Sequence, residues 1–418
     1  MSSLPALART LQANIDVLAQ ELEKVNLGRY TFEDEDGPLE LPLLSPDGCH
    51  AKATVIEAAE KILRLARGPL GHLQTYAATG LEVGTIEALI KLQIPSMIPL
   101  GTSKSYGELA SEANVSVQLL SRMIALASTC GFLSVDPNGN VRHNSMSSIF
   151  VRDQQSAGGA SWTLEMYSRV GPKMYESLQL NPKGDDPAAC AVGLAYRELE
   201  DKVDKGRLKT LWDIHAQNPT LDRQFHDLMA ASCASPMESV DHVVNGFDWN
   251  CINSLVDVGG SIGHTCLALT ARYPHLQCIV QDLETAISET SPTANVSFMA
   301  HDFFEPQTVT ADAYLYRFIL HDWSDEDCKR ILSAAVAGLP RGSRLIIMDM
   351  VLPKKDTLPW LMDKYIRTLD IAMYALLAGK ERSLEEFQSL VAAVAPELQF
   401  ESSHCPVGSA LSILVWKH

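Results

Sequence analysis

The pattern of apolar and polar positions divides the chain into a helical part and a part in which strands alternate with helices. Apolar residues recur at three-to-four spacing over residues 1–25 and again in "AKATVIEAAEKILRLA", where Ala58, Ile62 and Leu65 share one face, as expected of amphipathic helices. From residue 254 onward, short apolar runs such as "LVDVGG", "QCIVQDL", "AYLYRFIL" and "RLIIMDMVL" alternate with helical segments. This alternation is typical of a doubly wound, mostly parallel sheet. We therefore predict an α/β chain whose sheet follows a helical N-terminal region.

The segment "SYGELASEANVSVQLLSRMIALASTCGFLSVDPNGNVRHN" has the pattern of a compact unit of its own. Ser105 and Glu108 form a capping-box pair, Ser116 or Asn114 can cap the next helix, and Gly131 lies where a left-handed C-terminal residue belongs. The runs "FLSV" and "VRHN" alternate around "DPNG", which is a hairpin signal. Two helices followed by a hairpin predict a winged helix-turn-helix.

A winged helix raises the hypothesis of a DNA-binding regulator, which would show salt-sensitive binding to duplex DNA. The second helix of the unit carries one cation, Arg122, and the whole chain has a formal net charge of -17 and a pI near 5.1. A helix that reads a DNA groove needs several Lys or Arg residues. We therefore disfavour nucleic acid as a partner and expect the apolar helices "IEALIKL" and "LLSRMIALAS" to form a homodimer.

Composition places the chain among globular proteins. Its 418 residues are 46% hydrophobic and 20% charged, and its nine cysteines include no C-x-x-C pair. Scattered single cysteines indicate reduced thiols rather than disulfides or a structural zinc site. No apolar run approaches the roughly 18 to 20 residues that span a bilayer, and residues 1–30 lack a secretory apolar core. We expect a cytoplasmic protein without a membrane or metal partner.

A glycine-rich turn follows the first strand of the predicted sheet. Asp257 precedes Gly259, Gly260 and Gly263 in "LVDVGGSIG", and a second strand ends at Asp282 roughly 20 residues after the turn, where nucleotide-binding sheets place an acid for the ribose hydroxyls. Glycines let a ligand touch the backbone, although a tight strand–helix connection alone would also use them. The G-G-x-x-G spacing without a following lysine excludes a P-loop, so we predict a nucleoside without a pyrophosphate.

A third acid, Asp302, ends the next short strand beside Phe303 in "VSFMAHDFF". The carboxyl ends of parallel strands meet at one edge of a sheet, where ligands bind. Three acids at this edge would repel the phosphates of a dinucleotide and attract a ligand with a sulfonium and an ammonium group. The predicted cofactor is S-adenosyl-L-methionine.

These motifs occur in the order found in a known family. The chain resembles the class I S-adenosylmethionine-dependent O-methyltransferases of plant and fungal natural-product pathways, the caffeic-acid and sterigmatocystin type, in "VDVGGSIG", "QDL", "HDFF", "RFILHDWSD" and "GKER". The resemblance covers nearly the whole chain. It implies a helical, winged-helix dimerisation domain over residues 1–160, a helical linker and substrate-lining region over 161–250, and a Rossmann-like catalytic domain over 251–418.

His321 follows the strand "YLYRFIL" and stands beside the predicted cofactor strands. A histidine with a pKa of about 6.5 can take the proton of a phenol at neutral pH, whereas a lone histidine at a strand end is more often only hydrogen bonded. The resemblance implies a general base flanked by two acids, Glu381 and Asp349, the latter where the family usually has glutamate. We interpret Asp322 as a residue that holds the loop or caps the next helix.

The resemblance also implies a cofactor-binding and a substrate-lining set. Arg317 falls where relatives often carry a lysine near the adenine, and Trp323 packs against ligands or simply in the core. The expected substrate-lining residues are Phe225, Met229, Trp162 and Met373. The segment "YALLAG" lacks the asparagine common in plant members, which indicates an apolar acceptor.

The predicted reaction is methyl transfer to a hydroxyl, expected to be phenolic, of a small aromatic or polyketide-like molecule. The alternative is an enzyme of the same fold that binds the cofactor but catalyses a pericyclic or dehydration step without methylation.

Overall fold

The structure is a computed structural model that describes residues 3–197, 208–288, 290–354 and 357–418. The chain divides into two compact units. The first comprises residues 1–172 with 213–231, and the second comprises residues 173–212 with 232–418.

The first unit is mainly helical. Its elements up to residue 172 are α1 (Leu4–Lys24), α2 (Pro46–Lys91), α3 (Ile94–Met97), β1 (Ser103–Lys104), α4 (Tyr106–Glu112), α5 (Val117–Thr129), β2 (Ser134–Val135), β3 (Val141–Arg142), α6 (Ser145–Arg152) and α7 (Gln154–Val170). The helices predicted around residues 51–66 and 84–94 are two parts of α2, which is kinked where Gly68 adopts φ 67° before Pro69. Helix α2 ends at Lys91, and Pro95 lies in the first turn of α3, where its missing N–H is tolerated.

The winged helix is present as predicted. Ser105 and Glu108 exchange both hydrogen bonds of a capping box at the start of α4, Ser116 is the N-cap of α5, and Gly131 has φ 79°. Strands β2 and β3 pair antiparallel around the predicted turn, and β1 joins them in the order β1-β3-β2. The buried side chains of Leu120 and others on α4, α5 and β3 form one apolar core.

The remaining elements belong to the second unit, except that residues 171–172 and 213–231 belong to the first. Before the sheet come α8 (Met174–Leu180), α9 (Ala191–Arg197), α10 (Leu211–Gln217), α11 (Pro219–Ala234) and α12 (Val240–Gly246), together with 3-10 turns at Gly171–Lys173, Pro187–Ala189 and Trp249–Cys251. The sheet strands are β4 (Ser254–Val258), β5 (Gln277–Asp282), β6 (Val296–Ala300), β7 (Ala313–Arg317), β8 (Arg344–Met350), β9 (Gln399–His404) and β10 (Leu411–Lys417). They alternate with α13 (His264–Arg272), α14 (Glu284–Ile287), the 3-10 turn Leu320–Asp322, α15 (Asp325–Val336), α16 (Trp360–Leu377) and α17 (Leu384–Val394).

The seven strands β4 to β10 form one sheet in the order β6-β5-β4-β7-β8-β10-β9. The first five are parallel, and β10 runs antiparallel to both β8 and β9. Alternate residues of the central strands, such as Leu255 and Val256, enter two separate apolar clusters. The sheet is therefore buried on both faces, which explains the almost continuous apolar runs in the sequence. The predicted fold class is confirmed.

The order of the strands determines where a ligand can bind. The chain passes from β4 to β5 and β6 in one direction and then returns to β7 and β8 on the other side of β4. In an open sheet, the crevice at such a reversal is the usual ligand site. The carboxyl ends of β6, β5, β4, β7 and β8 carry, in that order, Asp302, Asp282, Asp257, Arg317 and Asp349. None of the described helices has the length and apolar character needed to cross a bilayer.

Candidate active site

The turn after β4 requires glycine at two positions for steric reasons. Gly259 has φ 71°, and a Cβ there would lie 2.4 Å from Cδ1 of Ile319. A Cβ on Gly260 would lie 2.7 Å from the carboxyl carbon of Asp257. The backbone can thus pass closely over the Asp257 carboxylate, and a ligand at this turn meets peptide groups instead of side chains. Gly263, with φ 82°, is the N-cap of α13.

The acids of β4 and β5 lie around this turn. Asp282 accepts hydrogen bonds from the backbone N–H of Ser261 at 2.8 Å and of Leu283 at 2.8 Å, so it connects the turn to the end of β5. Asp257 is 2% exposed and accepts a weak hydrogen bond from the thiol of Cys266 at 3.5 Å. Burial raises the pKa of Asp257 to about 6, although Cys266 and the charge of Arg317 act in the opposite direction. A cation near this carboxylate would be stabilised.

The third acid and its aromatic neighbours complete this edge. Asp302 is exposed and accepts a hydrogen bond from the N–H of Phe304. The rings of Phe303 and Trp323 meet edge to face with centroids 5.8 Å apart, and Phe304 packs on Trp323 at 4.9 Å. Trp323 therefore packs in an aromatic group beside the site, which fits the second of its two expected roles.

The side chain of Arg317, the last residue of β7, is held by contacts with other residues of the second unit. One nitrogen donates to the carbonyl of Glu238 and another to the sulfur of Cys233 at 3.6 Å, while the guanidinium lies 4.8 Å from the centre of the Phe318 ring. The carboxylate of Glu238 in turn accepts a hydrogen bond from Tyr365. Arg317, the residue expected near the adenine, is thus a cation that is held in place near Asp257.

His321 lies in the 3-10 turn after β7 and is 6% exposed. Its Nδ1 lies 2.8 Å from Oε1 of Glu381, and its Nε2 lies 3.5 Å from Oδ1 of Asp322. Glu381 is 1% exposed, and its other oxygen, Oε2, has no hydrogen-bond partner among the described residues. Glu381 therefore fixes the orientation of the imidazole through one ring nitrogen, and Nε2 is the nitrogen left for chemistry.

The charge state of His321 differs from the expectation. Burial lowers the pKa of His321, but the negative charges of Glu381 and Asp322, the hydrogen bond to Glu381 and the charge of Asp349 together raise it to about 10. The ordinary pKa of about 6.5 assumed for a histidine base therefore does not apply to the ligand-free protein. At neutral pH the imidazole is positively charged here and must lose a proton before it can act as a base.

Asp322 and Asp349 differ in how they approach the imidazole. The interpretation of Asp322 as a helix cap is wrong, because Ser324 caps α15 by accepting from the N–H of Asp327, and Asp322 instead faces Nε2 of His321. Asp349 is fully buried, and the charges of His321 and Arg382 and a backbone hydrogen bond from Phe318 act to lower its pKa. Burial raises the pKa of both aspartates to about 6.

The segment "GKER", residues 379–382, contacts the loop that carries His321, here called the histidine loop. The N–H of Lys380 donates to the carbonyl oxygen of His321 at 2.9 Å. Arg382 is 0% exposed and donates to the carbonyl oxygens of Leu320 at 2.6 Å and Trp323 at 2.7 Å and to the carboxylate of Asp325 at 2.9 Å. Three consecutive residues, Lys380, Glu381 and Arg382, thus hold the backbone and the ring nitrogen of His321 and the carbonyl groups of its loop.

We predict that Gly379→Ala impairs both folding and activity. A Cβ at Gly379 would lie 2.1 Å from the carbonyl oxygen of His321 and 2.8 Å from the carbonyl carbon of Asp322. Because backbone atoms cannot rotate away, the loop must move, and overpacking of this kind costs about 1–3 kcal/mol. Chemical denaturation should show that loss together with a lower kcat. Gly171→Ala is the matched control, since no heavy atom lies within 4 Å of a Cβ there; equal stability of both variants would contradict the prediction.

Phe318 has an unusual backbone conformation for an aromatic residue, with φ 56°. Left-handed conformations of bulky residues are rare and strained, and they concentrate at functional sites. The ring of Phe318 lies with its centroid 5.5 Å from that of His321. The strained residue therefore turns the chain from β7 into the histidine loop and packs on the imidazole.

The expected substrate-lining residues lie in both units. In the first unit, Trp162 is buried and lies 5.4 Å from the ring of Phe225, and its indole N–H donates to Nε2 of His215 at 3.2 Å. Met229, one turn after Phe225 on α11, is 39% exposed. In the second unit, Met373 is buried on α16. The structure thus brings Trp162 and Phe225 together with a histidine that the sequence reading did not single out.

Three comparisons place the chain among known proteins. Residues 196–395 match the O-methyltransferase domain family. The chain is 39% identical to the O-methyltransferase FrzF of a Cladobotryum species, covering 100% of this chain and 99% of that protein, and 36% identical to the 6-hydroxytryprostatin B O-methyltransferase of Neosartorya fischeri, covering 100% and 99%. A solved structure of LepI in complex with S-adenosylmethionine has the same fold, with a TM-score of 0.74 at 20% identity over 98% of this chain and 99% of that one.

The chain belongs to the O-methyltransferase family. This O-methyltransferase uses S-adenosylmethionine and is of the type found in fungal secondary metabolism. The matched domain spans β4 to β8 and the loop of Glu381, so it contains both the glycine turn and the histidine cluster.

The residues present in the O-methyltransferase fit this cofactor. The buried carboxylate of Asp257, the Asp282 carboxylate beside the glycine turn and the exposed Asp302 give the sheet edge an excess of negative charge, which suits a sulfonium ion. No group of three or more His, Cys, Asp and Glu side chains within the described ranges is arranged to hold a metal ion.

Sequence reasoning missed several residues of the O-methyltransferase site. Arg382, Lys380 and Gly379 stand next to the predicted Glu381 in "GKER", and the compactness of that motif was the available signal. The left-handed backbone of Phe318 gave no signal, because nothing in its residue type indicates it.

Proposed function

We propose that this O-methyltransferase transfers the methyl group of S-adenosylmethionine to a phenolic hydroxyl of a small secondary metabolite, with His321 as the general base. The observation that supports the proposal most directly is the 2.8 Å contact between Nδ1 of His321 and Glu381. A carboxylate on Nδ1 keeps a proton on that nitrogen and leaves Nε2 as the basic one once the ring is neutral. This is the arrangement that accepts a proton from a hydroxyl.

The proton movement can be followed on the residues of the chain. Bound S-adenosylmethionine would supply the methyl group, whose bond to sulfur would be exchanged for a bond to the acceptor oxygen, and Nε2 of His321 would take the hydroxyl proton. Glu381 stabilises the imidazolium that results. Placement of the two reactants in line supplies a large part of the rate enhancement.

The base requires a neutral imidazole, and three acids oppose that state in the ligand-free protein. S-adenosylmethionine supplies, when bound, the methyl group and a positive charge. A positive charge near the carboxylates lowers the pKa of a neighbouring histidine. A cation bound at the sheet edge therefore lowers the pKa of His321. We infer that His321 becomes a base only in the loaded enzyme or at alkaline pH.

The proposed cofactor contacts come from residues at the carboxyl ends of the parallel strands. Asp282 and the turn of Gly259, Gly260 and Gly263 would hold the nucleoside, with Asp257 facing its charged amino-acid end. Asp302, Phe303 and Arg317 would border the adenine. Each group stands at the carboxyl end of its strand, where the fold places ligands.

The proposed acceptor is a small apolar molecule of aromatic or polyketide-like type. Met373 and the neighbouring "YALLAG" residues at the end of α16 are mostly buried and apolar. The name of one relative, a 6-hydroxytryprostatin B O-methyltransferase, describes a hydroxylated acceptor. A phenol with an apolar body suits these side chains.

The proposal is tested with purified protein, S-adenosylmethionine and a panel of phenols and hydroxylated polyketides. The expected product carries one methyl group in place of the hydroxyl hydrogen, detected by mass spectrometry together with S-adenosylhomocysteine. Calorimetry with S-adenosylhomocysteine alone checks cofactor binding. Binding without methylation of any hydroxylated compound would count against the proposed reaction while leaving the cofactor site intact.

A second candidate function is a pericyclic or dehydration step in which the cofactor is bound but its methyl group is not transferred. The charged state of His321 favours this candidate, since an imidazolium is a general acid. The same mass measurement separates the two functions: the second predicts product formation without any gain of a methyl group.

We also propose that the first unit, with residues 1–160 at its centre, forms a homodimer. The second part of α2 exposes Leu70, Leu73 and Leu81 at 68%, 65% and 75%, and their spacing of three and eight residues puts them on one side of the helix. No Asp, Glu, Lys or Arg residue occurs from Gly68 to Leu81, a segment that contains one histidine, His72. Each copy of the chain carries a formal net charge of -17, so two copies repel one another except where an uncharged surface meets an uncharged surface. We therefore propose that a second copy of the chain covers this apolar face.

The dimer proposal predicts a specific change on substitution. Leu73→Asp combined with Leu81→Asp should raise the dimer dissociation constant at least about 100-fold, because buried leucines each contribute roughly 1.5–3 kcal/mol. Light scattering or sedimentation measures the change. Val407→Asp, which alters a residue of the second unit that is 70% exposed, serves as the control and should leave the dimer intact. A monomeric wild type would contradict the proposal.

A further inference from the structure

A cavity of about 320 Å³ lies within the first unit of the chain. Its walls come from the C-terminal end of α2, one side of α7 and the first turns of α11. On α7 the lining residues are Ser161, Leu164 and Glu165, whose spacing of three and four positions puts them on one side of the helix. The cavity is thus distinct from the glycine turn and the histidine cluster, which belong to the second unit.

The charged groups at this cavity form a network with one another. Nζ of Lys91 lies 2.7 Å from Oε1 of Glu87 and 3.1 Å from Oε2 of Glu165. The other oxygen of each acid also accepts a hydrogen bond, from the hydroxyl of Ser168 to Glu87 at 3.0 Å and from Nε of Arg169 to Glu165 at 3.0 Å. Two cations thus balance two acids, and these carboxylates do not need a metal ion or an organic cation as a partner.

Hydrogen bonds within the chain orient several of the polar groups that line the cavity. The amide oxygen of Asn218 accepts from the N–H of Leu221 at 3.2 Å, so its NH2 group is the part left to donate. The hydroxyl of Ser161 donates to the carbonyl of Ala157 at 2.7 Å, so its oxygen is left to accept. The ammonium group of Lys91 has three N–H donors and two carboxylate partners. The cavity therefore offers donors and an acceptor without a net charge.

The lining combines these groups with an apolar part. Ile90, Leu164 and Leu221 form the apolar part, and Leu221 is 2% exposed. The other uncharged polar lining residues are Gln93, Thr220 and Gln224. A volume of about 300 Å³ or more with a few placed polar groups is typical of small-molecule sites. An ionised ligand would lose hydration without gaining an unpaired counter-charge, so this lining suits a ligand that is polar but uncharged.

We propose that this cavity is a second binding site of the protein, which takes an uncharged small molecule with an amide or lactam group on an apolar frame. The carbonyl oxygen of such a group has two lone pairs for the donors of Lys91 and Asn218. Its N–H can donate to the oxygen of Ser161, and the apolar frame can pack against Leu164 and Leu221. An amide therefore matches the donors, the acceptor and the apolar part of the lining at once.

The test uses the full-length protein with labelled Ile and Leu methyl groups and three probes of nearly the same shape. Isovaleramide is uncharged, isovalerate is an anion and isoamylamine is a cation at neutral pH. Small fragments bind weakly, so each titration extends to about 50 mM. Isovaleramide should cause saturable NMR shifts of the methyl groups of Ile90, Leu164 and Leu221, with a Kd at least about tenfold lower than that of either charged probe.

Three variants make the result specific. Ser161→Ala should raise the Kd of isovaleramide by about 2- to 10-fold, the usual net contribution of one hydrogen bond. Lys91→Met should weaken isovaleramide and strengthen isoamylamine, because Glu87 and Glu165 lose the cation that they share. Ser121→Ala is the matched control: this serine of α5 also donates to a carbonyl about one turn earlier, and its loss should leave the affinity unchanged.

The absence of saturable shifts at the three methyl groups with isovaleramide would overturn the proposal, as would equal affinities of Ser161→Ala and Ser121→Ala. Tighter binding of isovalerate than of isovaleramide would also overturn it, since the ammonium of Lys91 would then act as an unbalanced charge. Methyl transfer plays no part in these measurements, so failure of the proposed reaction would leave the result on this cavity unaffected.

Discussion

Replacement of His321 by glutamine is expected to lower kcat for methyl transfer by about 100- to 10,000-fold, the range over which a positioned general base acts. Glutamine preserves polarity and roughly the length of the side chain, and its amide can still donate a hydrogen bond. It cannot accept a proton from a hydroxyl at neutral pH. The measurement is steady-state methylation of the best acceptor found in the panel, followed as S-adenosylhomocysteine formed per minute.

Cofactor affinity separates a loss of chemistry from a loss of structure. His321→Gln should bind S-adenosylhomocysteine with nearly the wild-type dissociation constant, because the proposed contacts come from β4, β5 and the glycine turn. His404→Gln, at an exposed site on β9, is the matched control and should retain full activity. A kcat within about threefold of the wild type for His321→Gln would remove the histidine from the mechanism, since even a weak general base contributes more than that.

The same variant gives a stability profile with a defined sign. The pKa of His321 is raised to about 10 in the folded protein, above the value of about 6.5 in an unfolded chain. Its charged form therefore stabilises the fold fully below pH 6.5, and that contribution is lost as pH rises toward 10. The difference in unfolding free energy between wild type and His321→Gln should shrink over this alkaline range.

The local patterns of the sequence predicted those parts of the site that depend on neighbouring residues. The glycine turn, Asp282 at the end of β5 and the strand that leads to His321 all follow from apolar runs, their lengths and the residues that end them. Period and turn chemistry are properties of a few consecutive residues. The winged helix was predictable for the same reason, through the Ser105 capping box and the turn between β2 and β3.

Properties that depend on distant residues could not be predicted in the same way. The pKa of His321 depends on carboxylates from β8 and from the segment after α16, 28 and 60 residues further along the chain. Asp322 was misinterpreted as a helix cap because Ser324, two residues later, caps α15 instead. The local sequence does not show which of several polar residues will cap a helix. The residue identities suggested an active site, but only the packing shows that its histidine is charged.

Arg382 is an example of a residue whose importance depends entirely on such packing. The side chain is completely buried and donates to two loop carbonyls and to Asp325. We expect Arg382→Met to lower the free energy of unfolding by about 3–5 kcal/mol, because loss of one member of a buried charged group leaves its partners without compensation. Chemical denaturation monitored by tryptophan fluorescence measures the change.

The carbonyl groups of Leu320 and Trp323 explain why charge alone is insufficient. They flank His321 and both point at the guanidinium, at 2.6 Å and 2.7 Å. A lysine ammonium is a compact donor that cannot contact both carbonyls and the carboxylate in the same plane. Arg382→Lys should therefore recover part of the stability but little of the activity, since the loop that carries His321 and Asp322 would lose its fixed geometry.

Arg367→Met provides the comparison that distinguishes burial from charge. Arg367 pairs with Asp363 one turn earlier on α16 at 3.0 Å, but its side chain is 48% exposed. Exposed pairs contribute about 0–1 kcal/mol, so this variant should be nearly as stable and as active as the wild type. If Arg382→Met were as well tolerated as Arg367→Met, contacts other than those of the guanidinium would have to hold the loop that carries His321. The conclusion that the segment "GKER" holds this loop in place would then be wrong.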